Sequence, residues 1–211
     1  MNSDALILES FKSNGFDTLT EIQKQAFPVV NRRGNCLLVA PTGSGKTEAA
    51  IMPVISLMSQ ADRPTGLIRT IYVTPLRALN NDVFRRIIFY AKKMKLDVQI
   101  RHGDTTTSAR RKIVTDPPDI LITTPESLGV ILTNKNLLHS LKGLEWIVID
   151  EVHELISNER GAHLALSLER LESNSNRKVT RIGLSATIST KINNPRMTNT
   201  MPVIFRSFRR A

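Results

Sequence analysis

Short apolar runs rich in β-branched residues alternate along the chain with longer segments in which apolar residues recur every three or four positions. The short runs predict buried strands, and they occupy residues 36–40, 70–74, 98–101, 120–123, 146–150 and 181–185. The longer segments predict amphipathic helices at residues 22–30, 47–58, 76–94, 106–114, 125–132 and 162–171. Strands that alternate with helices in this way predict an α/β fold, with a mostly parallel sheet covered by helices on both faces.

The length of the chain allows one such domain. Its 211 residues, 41% of them hydrophobic, bury one substantial core and are too few for two complete α/β domains. The alternation of strands and helices stops after Thr187, and residues 188–211 show neither helical nor strand periodicity. We therefore expect a domain over residues 1–187 that is followed by a basic tail over residues 188–211.

Charge and composition narrow the function only slightly. The net charge is +10, and the tail supplies half of it because it carries five basic residues and no acidic one. A moderately basic domain is compatible with nucleic-acid binding, but most proteins of this balance are simply soluble. The chain has no apolar run of membrane-spanning length and no signal-peptide pattern at its start. These features predict a cytoplasmic protein without a membrane partner.

A phosphate-binding loop is predicted directly after the first strand, where the chain runs Ala40-Pro41-Thr42-Gly43-Ser44-Gly45-Lys46-Thr47 and then enters a helix. Such a loop surrounds a polyphosphate with backbone N–H groups and the positive end of a helix dipole. Glycines allow close approach, the lysine neutralises phosphate charge, and the threonine hydroxyl binds Mg²⁺. The predicted contacts are Thr42, Gly43, Ser44, Gly45, Lys46 and Thr47. The alternative is a flexible Gly/Ser turn before an ordinary helix.

Two adjacent carboxylates end the apolar run 144–149, in the sequence Asp150-Glu151-Val152-His153. At a strand end such a pair takes separate tasks: Asp150 holds Mg²⁺, and Glu151 orients and deprotonates an attacking water. The alternative is a solvated strand end or a helix cap. His153 is either a polar residue of the turn or a link between this site and a neighbouring segment.

The order of these motifs resembles the first RecA-like domain of superfamily 2 helicases of the DExH type, over roughly residues 15–187. Gly15-Phe16 and Thr20-Glu21-Ile22-Gln23 resemble the Q motif, which implies that Phe16 packs near an adenine base and that Gln23 contacts its edge. Ser185-Ala186-Thr187 resembles motif III, which implies that Ser185 and Thr187, with His153, couple hydrolysis to the strand-binding face. The resemblance implies ATP and Mg²⁺ as cofactors.

Three further segments resemble the nucleic-acid contacts of the family: 74–79 (motif Ia), 101–105 (a glycine-containing turn) and 123–127 (motif Ib). Each follows a predicted strand and begins a helix, where free N–H groups and hydroxyls can hold a phosphate without distinguishing the bases. The predicted contacts are Thr74, Arg77, Gly103, Thr105 and Thr124. The alternative for each is simple helix capping, which Thr124-Pro125 would serve by itself.

The sequences of motifs Ia and Ib resemble most those of the Lhr-type large helicases. Residues 75–79, for example, are Pro-Leu-Arg-Ala-Leu rather than the Pro-Thr-Arg-Glu-Leu of DEAD-box RNA helicases. The resemblance implies single-stranded or tailed duplex nucleic acid as the partner, with DNA, tracked 3′ to 5′, favoured over RNA.

Only 24 residues follow Thr187, so the second RecA-like domain of the family, with its arginine finger, is expected outside this chain. Such a finger contributes about 10³- to 10⁵-fold in rate, and the chain alone should hydrolyse ATP slowly and not unwind a duplex. One alternative function is a non-catalytic, ATP-regulated module that binds nucleic acid or protein. A further alternative is another P-loop ATPase or a kinase, but that function leaves Gln23, motif III and the three turns unexplained.

Overall fold

The computed structural model describes residues 18–62, 64–75, 82–156 and 159–186, and the backbone of residues 203–205. Seven strands of this part form one sheet in the order β3-β4-β2-β5-β6-β1-β7, and every neighbouring pair is parallel. The strands are β1 (Cys36–Val39), β2 (Thr70–Val73), β3 (Val98–Arg101), β4 (Ile120–Thr123), β5 (Trp146–Ile149), β6 (Thr180–Ser185) and β7 (Val203–Phe205).

In the described part, the first of the helices precedes β1 in the chain and the others lie between β1 and β6. They are α1 (Glu21–Asn31), α2 (Lys46–Gln60), α3 (Asp82–Lys93), α4 (Thr107–Thr115), α5 (Pro125–Ile131), α6 (Lys135–Ser140), α7 (Val152–Ile156) and α8 (Glu159–Asn174), with a short 3-10 helix at Leu141–Gly143. The α/β architecture predicted from the sequence is confirmed. None of the described helices is both long and apolar enough to span a bilayer.

The core has two layers, one on each face of the sheet. Trp146 and Val148 of β5 pack with residues of α1, α2 and α3, whereas Ile147 and Ile149 pack with residues of α4 to α8. Successive side chains of a strand point to opposite faces, so a sheet that is covered twice needs apolar residues at every position. This double burial explains why the strands appear in the sequence as continuous apolar runs.

The structure differs from the sequence prediction at several elements. The helix predicted over residues 76–94 is described only as α3, because residues 76–81 lie outside the described residues. Helices α6 and α7 were not predicted, since six and five residues are too few to show a helical period. The tail shows no strand periodicity in the sequence, whereas the structure has β7 there, paired with β1. A three-residue strand has almost no pattern of its own, and its pairing with β1 defines it.

Candidate nucleotide-binding site

The phosphate loop, the two acids and the start of motif III lie at the carboxyl edge of the sheet. The loop follows β1, the acids follow β5, and β6 lies between these two strands. The backbone N–H of Ala40 donates to the carbonyl of Ser185 across 3.2 Å, and that of Asp150 donates to Val73 across 2.8 Å. Because parallel strands end together, segments far apart in the sequence meet at this edge.

The loop after β1 has the backbone expected of a phosphate cradle. Gly43 and Gly45 have φ angles of 76° and 84°, in the left-handed region where glycine pays no steric cost. Helix α2 begins at Lys46 immediately after Gly45, so the helix N-terminus faces this loop. The Lys46 ammonium is buried and donates to the carbonyl oxygens of Ala40 and Pro41, the latter at 2.8 Å. Lys46 therefore lies within the loop itself.

The side chain of Gln23 connects α1 to this loop. Its Oε1 accepts from the backbone N–H of Thr20 at 2.9 Å, which closes a capping box at the start of α1. Its Nε2 lies 3.4 Å from the carbonyl oxygen of Gly45, to which it donates. Both ends of the amide thus contact protein here, and the contact between Gln23 and adenine stays a prediction. Phe16 lies outside the described residues.

The close approach of Gln23 makes position 45 sensitive to any side chain. A Cβ atom at Gly45 would lie 2.5 Å from Gln23 Nε2, whereas one at Gly66, which has a similar φ of 75°, would have no neighbour within 4 Å. We expect Gly66→Ala to cost about 1–2 kcal/mol of unfolding free energy for its left-handed backbone. Gly45→Ala should cost more and weaken nucleotide binding. Urea denaturation and a fluorescent-nucleotide titration measure both effects, and equal losses for the two variants would refute the contact.

Asp150 and Glu151 occupy the end of β5 in a constrained geometry. The Tyr72 hydroxyl, on the adjacent strand β2, donates to Asp150 Oδ2 at 2.7 Å, and the backbone N–H of Glu151 donates to Asp150 Oδ1 at 2.9 Å. Glu151 has a φ of 48°. A non-glycine residue in this left-handed region costs about 1–3 kcal/mol and is typical of functional sites. This left-handed conformation turns the chain sharply directly after β5.

The charges of Lys46, Asp150 and Glu151 influence one another's ionisation. Burial raises the pKa of the Asp150 carboxyl, and the Tyr72 hydrogen bond and Lys46 partly offset this rise. Burial, followed by the charge of Asp150, raises the pKa of Glu151. Burial lowers the pKa of Lys46, while Glu151 and Asp150 oppose the shift. Burial thus disfavours the charged form of all three groups, and the opposite charges partly compensate for it.

His153 lies between Glu151 and the end of β6. Its Nδ1 is 3.3 Å from Glu151 Oε2 and 3.2 Å from Ser185 Oγ. The structure thus brings together three residues that the sequence assigns to the catalytic pair and to coupling. Thr187, the remaining coupling residue, lies outside the described residues.

The described parts of the three turns with predicted nucleic-acid contacts follow the neighbouring strands β3, β4 and β2 and therefore lie side by side. Two of the three threonine hydroxyls are used within the protein. Thr105 Oγ1 accepts from the N–H of His102, and Thr124 Oγ1 accepts from that of Ser127 and caps α5. Thr74 is fully buried, and its hydroxyl has no hydrogen-bond partner among the described residues. Gly103 is exposed, and Arg77 lies outside the described residues.

Two residues of this edge were not among the predicted site residues. Tyr72 is fully buried in β2, and the signal for it is a hydroxyl-bearing side chain within the otherwise aliphatic run Ile71-Tyr72-Val73. Arg101 ends β3 and is buried, and its Nη1 has no hydrogen-bond partner among the described residues. The sequence places Arg101 in the turn, but its burial without a counter-charge becomes visible only in the fold.

Comparison with known proteins agrees with this geometry. The DEAD/DEAH box helicase family matches residues 20–194. The Lhr helicase/uracil glycosylase of Escherichia coli K12 is 41% identical over 194 residues, which cover 82% of this chain and 12% of that protein. The ATP-dependent helicase Lhr-Core protein 2 of Thermococcus barophilus is 42% identical over 188 residues, which cover 82% of this chain and 22% of that protein.

A solved structure gives the same result. The Mycobacterium smegmatis helicase Lhr bound to ssDNA and AMP-PNP superimposes with a TM-score of 0.81 and 36% identity, over 95% of this chain and 27% of that one. This chain spans about a fifth of the length of the Lhr-Core relatives. From its sequence, its RecA-like fold and the order of its motifs, the chain belongs to the DEAD/DEAH box helicase family, with Lhr-type helicases among its relatives.

Proposed function

We propose that this chain is the N-terminal motor domain of an ATP-dependent nucleic-acid helicase. In this role it binds ATP and Mg²⁺, and it hydrolyses ATP in response to single-stranded nucleic acid, with DNA favoured over RNA. The observation that carries the proposal is that the phosphate loop with Lys46 and the acids Asp150 and Glu151 follow β1 and β5 at the same edge of the sheet, where only β6 separates the two strands. The preference for DNA is supported by the M. smegmatis relative, which was solved with ssDNA.

The residues present fit a magnesium–nucleotide complex. No group of three or more His, Cys, Asp or Glu residues in the described ranges could hold a metal ion by itself. Mg²⁺ at such sites usually takes one or two carboxylates and completes its shell with substrate phosphates and water. Asp150 and the Thr47 hydroxyl supply such a partial set. When bound, Mg²⁺ neutralises charge on the β and γ phosphates.

The chain's own residues divide the remaining tasks. The backbone N–H groups of residues 42–47 and the Lys46 ammonium hold the phosphates at the N-terminus of α2. Glu151 orients the attacking water and accepts its proton, and a raised pKa makes its carboxylate a better base. His153 touches both Glu151 and Ser185, so it transmits the position of β6 and motif III to the base.

The nucleic-acid side of the proposal is supported by the charge of the turn after β3. Burial, followed by the charge of Arg110, lowers the pKa of the Arg101 guanidinium. Like charges repel, and the buried Arg101 Nη1 has no hydrogen-bond partner among the described residues, so a backbone phosphate would offer this guanidinium both a counter-charge and an acceptor. Helix α4 continues the same surface with exposed Arg111 and Lys112.

The Lhr-Core relatives are about five times as long as the matched region, so they have room for a second RecA-like domain. We propose that such a domain, in the same polypeptide or in trans, carries the arginine finger and the other half of the strand clamp. Without it, hydrolysis by this chain is slow and strand separation is absent. Separation of a tailed duplex by the purified chain and ATP alone would contradict this assignment.

The test is ATP hydrolysis with and without single-stranded DNA or RNA, across a salt titration. We expect stimulation by single strands, greater with DNA, that falls steeply as salt rises while the basal rate changes little. The cause is that each phosphate contact releases counterions on binding. Stimulation that is absent, or insensitive to salt, would argue against phosphate contacts.

A charge variant locates those contacts. Arg101→Gln should weaken binding to every single-stranded sequence alike and lower the salt slope by about 0.7–1, the loss of one phosphate contact. The matched control is Lys142→Gln, because Lys142 is exposed and precedes β5 at the opposite edge of the sheet. Fluorescence anisotropy with a labelled oligonucleotide measures the slopes. Equal slopes for the two variants would exclude Arg101 from the interface.

A further inference from the structure

Tyr72 contacts Asp150, one of the two candidate magnesium ligands. It is fully buried at the third position of β2, beside β5, where it pairs with Val148. Its hydroxyl donates to Asp150 Oδ2 at 2.7 Å. One phenolic group thus connects β2 to the residue that directly follows β5.

The direction of this hydrogen bond is fixed. A tyrosine hydroxyl has one proton to donate, and a carboxylate oxygen can only accept it. Tyr72 is therefore the donor, and Asp150 Oδ2 is the acceptor.

The same contact constrains Asp150. The Tyr72 hydroxyl occupies Oδ2, and the Glu151 N–H occupies Oδ1, so the plane of the carboxylate is set by donors on two different elements. Each oxygen retains a lone pair. Partners that hold a ligand in this way commonly fix its orientation and tune its affinity for the metal.

We propose that Tyr72 is a positioning residue that orients Asp150, so that this carboxylate presents its free lone pairs to the Mg²⁺ ion bound with the nucleotide. This role rests on the proposed function. Tyr72 touches neither the nucleotide nor the metal in it and acts through Asp150. Loss of the phenolic hydroxyl leaves one oxygen of Asp150 without this donor.

Tyr72→Phe removes only this hydroxyl. We expect the apparent affinity for Mg²⁺ to fall about 10- to 100-fold, the range for partners of metal ligands. It is measured as the Mg²⁺ dependence of binding of a fluorescent, non-hydrolysable ATP analogue. Binding of the same analogue in EDTA should not change, because the phosphate loop is untouched. A general loss of packing would instead weaken binding under both conditions.

The matched control is Tyr90→Phe. Tyr90 is the second of the two tyrosines, is equally buried on α3, and has a hydroxyl without a hydrogen-bond partner among the described residues. Its removal should leave the Mg²⁺ dependence unchanged. An Mg²⁺ affinity of Tyr72→Phe equal to that of the parent overturns the role of Tyr72 alone, whereas a parent chain that binds no nucleotide overturns the proposed function as well.

A second measurement needs no mutation at Tyr72 and decides the question if Tyr72→Phe does not fold. With both tyrosines replaced by 3-fluorotyrosine, the chain gives two ¹⁹F signals, and Tyr90→Phe identifies which belongs to Tyr72. Addition of Mg²⁺ to the nucleotide-bound chain should shift the Tyr72 signal and leave the other in place. A Tyr72 signal that does not respond to Mg²⁺ contradicts the proposal.

Discussion

Replacement of Glu151 by glutamine is expected to reduce ATP hydrolysis by about 10²- to 10⁴-fold, the contribution of a positioned general base, while ATP binding persists. Glutamine has nearly the same shape but accepts no proton at neutral pH. Glu151 follows Asp150 directly after β5 and lies 3.3 Å from His153 Nδ1, and its backbone has a left-handed φ of 48°. Steady-state hydrolysis and a fluorescent-nucleotide titration on the same samples separate catalysis from binding.

The control for this change is Glu154→Gln on the next turn of α7. It removes the same charge from an exposed position near the site, so it should leave hydrolysis close to that of the parent. Equal losses for both variants would indicate a general electrostatic effect. If the parent itself shows binding without turnover, the chain is an ATP-regulated binding module instead of an enzyme.

The second large effect is expected at the opposite edge of the sheet, where Glu145 precedes β5. Its side chain and that of Arg69 are each 1% exposed, and Arg69 Nε lies 2.9 Å from Glu145 Oε1. Arg33 and Arg177 approach the same carboxylate at 2.6 and 3.4 Å. Glu145→Gln leaves the buried Arg69 without a counter-charge and should lower the free energy of unfolding by about 3–5 kcal/mol.

Glu126→Gln is the control for this loss. Glu126 also pairs with an arginine, Arg160, at 3.2 Å, but both side chains are more than half exposed, so its change should cost less than about 1 kcal/mol. Urea denaturation measures both. Similar values for the two variants would show that burial does not govern the strength of the pair.

Low pH should remove the stabilisation that the ion pairs of Glu145 provide. Burial opposes ionisation of Glu145, but Arg33 and Arg69 outweigh it, and the pKa of Glu145 is lowered. A carboxylate with a lowered folded-state pKa stabilises the protein above its unfolded pKa, and this contribution is lost as the pH falls through the folded value. The difference in unfolding free energy between the parent and Glu145→Gln should therefore persist at neutral pH. It should disappear only below the ordinary pKa range of glutamate.

Much of the fold could be predicted because burial of the sheet on both faces imposes a pattern of apolar residues on each strand. The six strands from β1 to β6 match the predicted runs within one residue at each end, since a strand that is buried on both faces must be apolar throughout. Helices α6 and α7 and strand β7 escaped prediction because they are shorter than the periods that identify such elements. Their conformation depends on what they pack or pair against.

The residues of the candidate site also fall into those that the sequence could predict and those that it could not. Lys46, Thr47, Asp150 and Glu151 were predicted because each lies in a compact motif whose residue types have a chemical reason. Tyr72 was not predicted, because its role depends on Asp150, which comes within hydrogen-bond distance only through the pairing of β2 with β5. The capping alternative for the nucleic-acid turns also needed coordinates, which show the hydroxyls of Thr105 and Thr124 engaged with backbone N–H groups.

The sequence by itself determined the layers, the parallel sheet, the phosphate loop and the acidic pair, because these depend on local periodicity and on the chemistry of adjacent residues. Tertiary structure decided which side chains meet: Tyr72 with Asp150, His153 with Ser185, and Glu145 with its arginines. The physical reason is that hydrogen bonds and ion pairs act over a few ångströms. Residues far apart in the chain come within that range only when strand order fixes which ends of the sheet are neighbours.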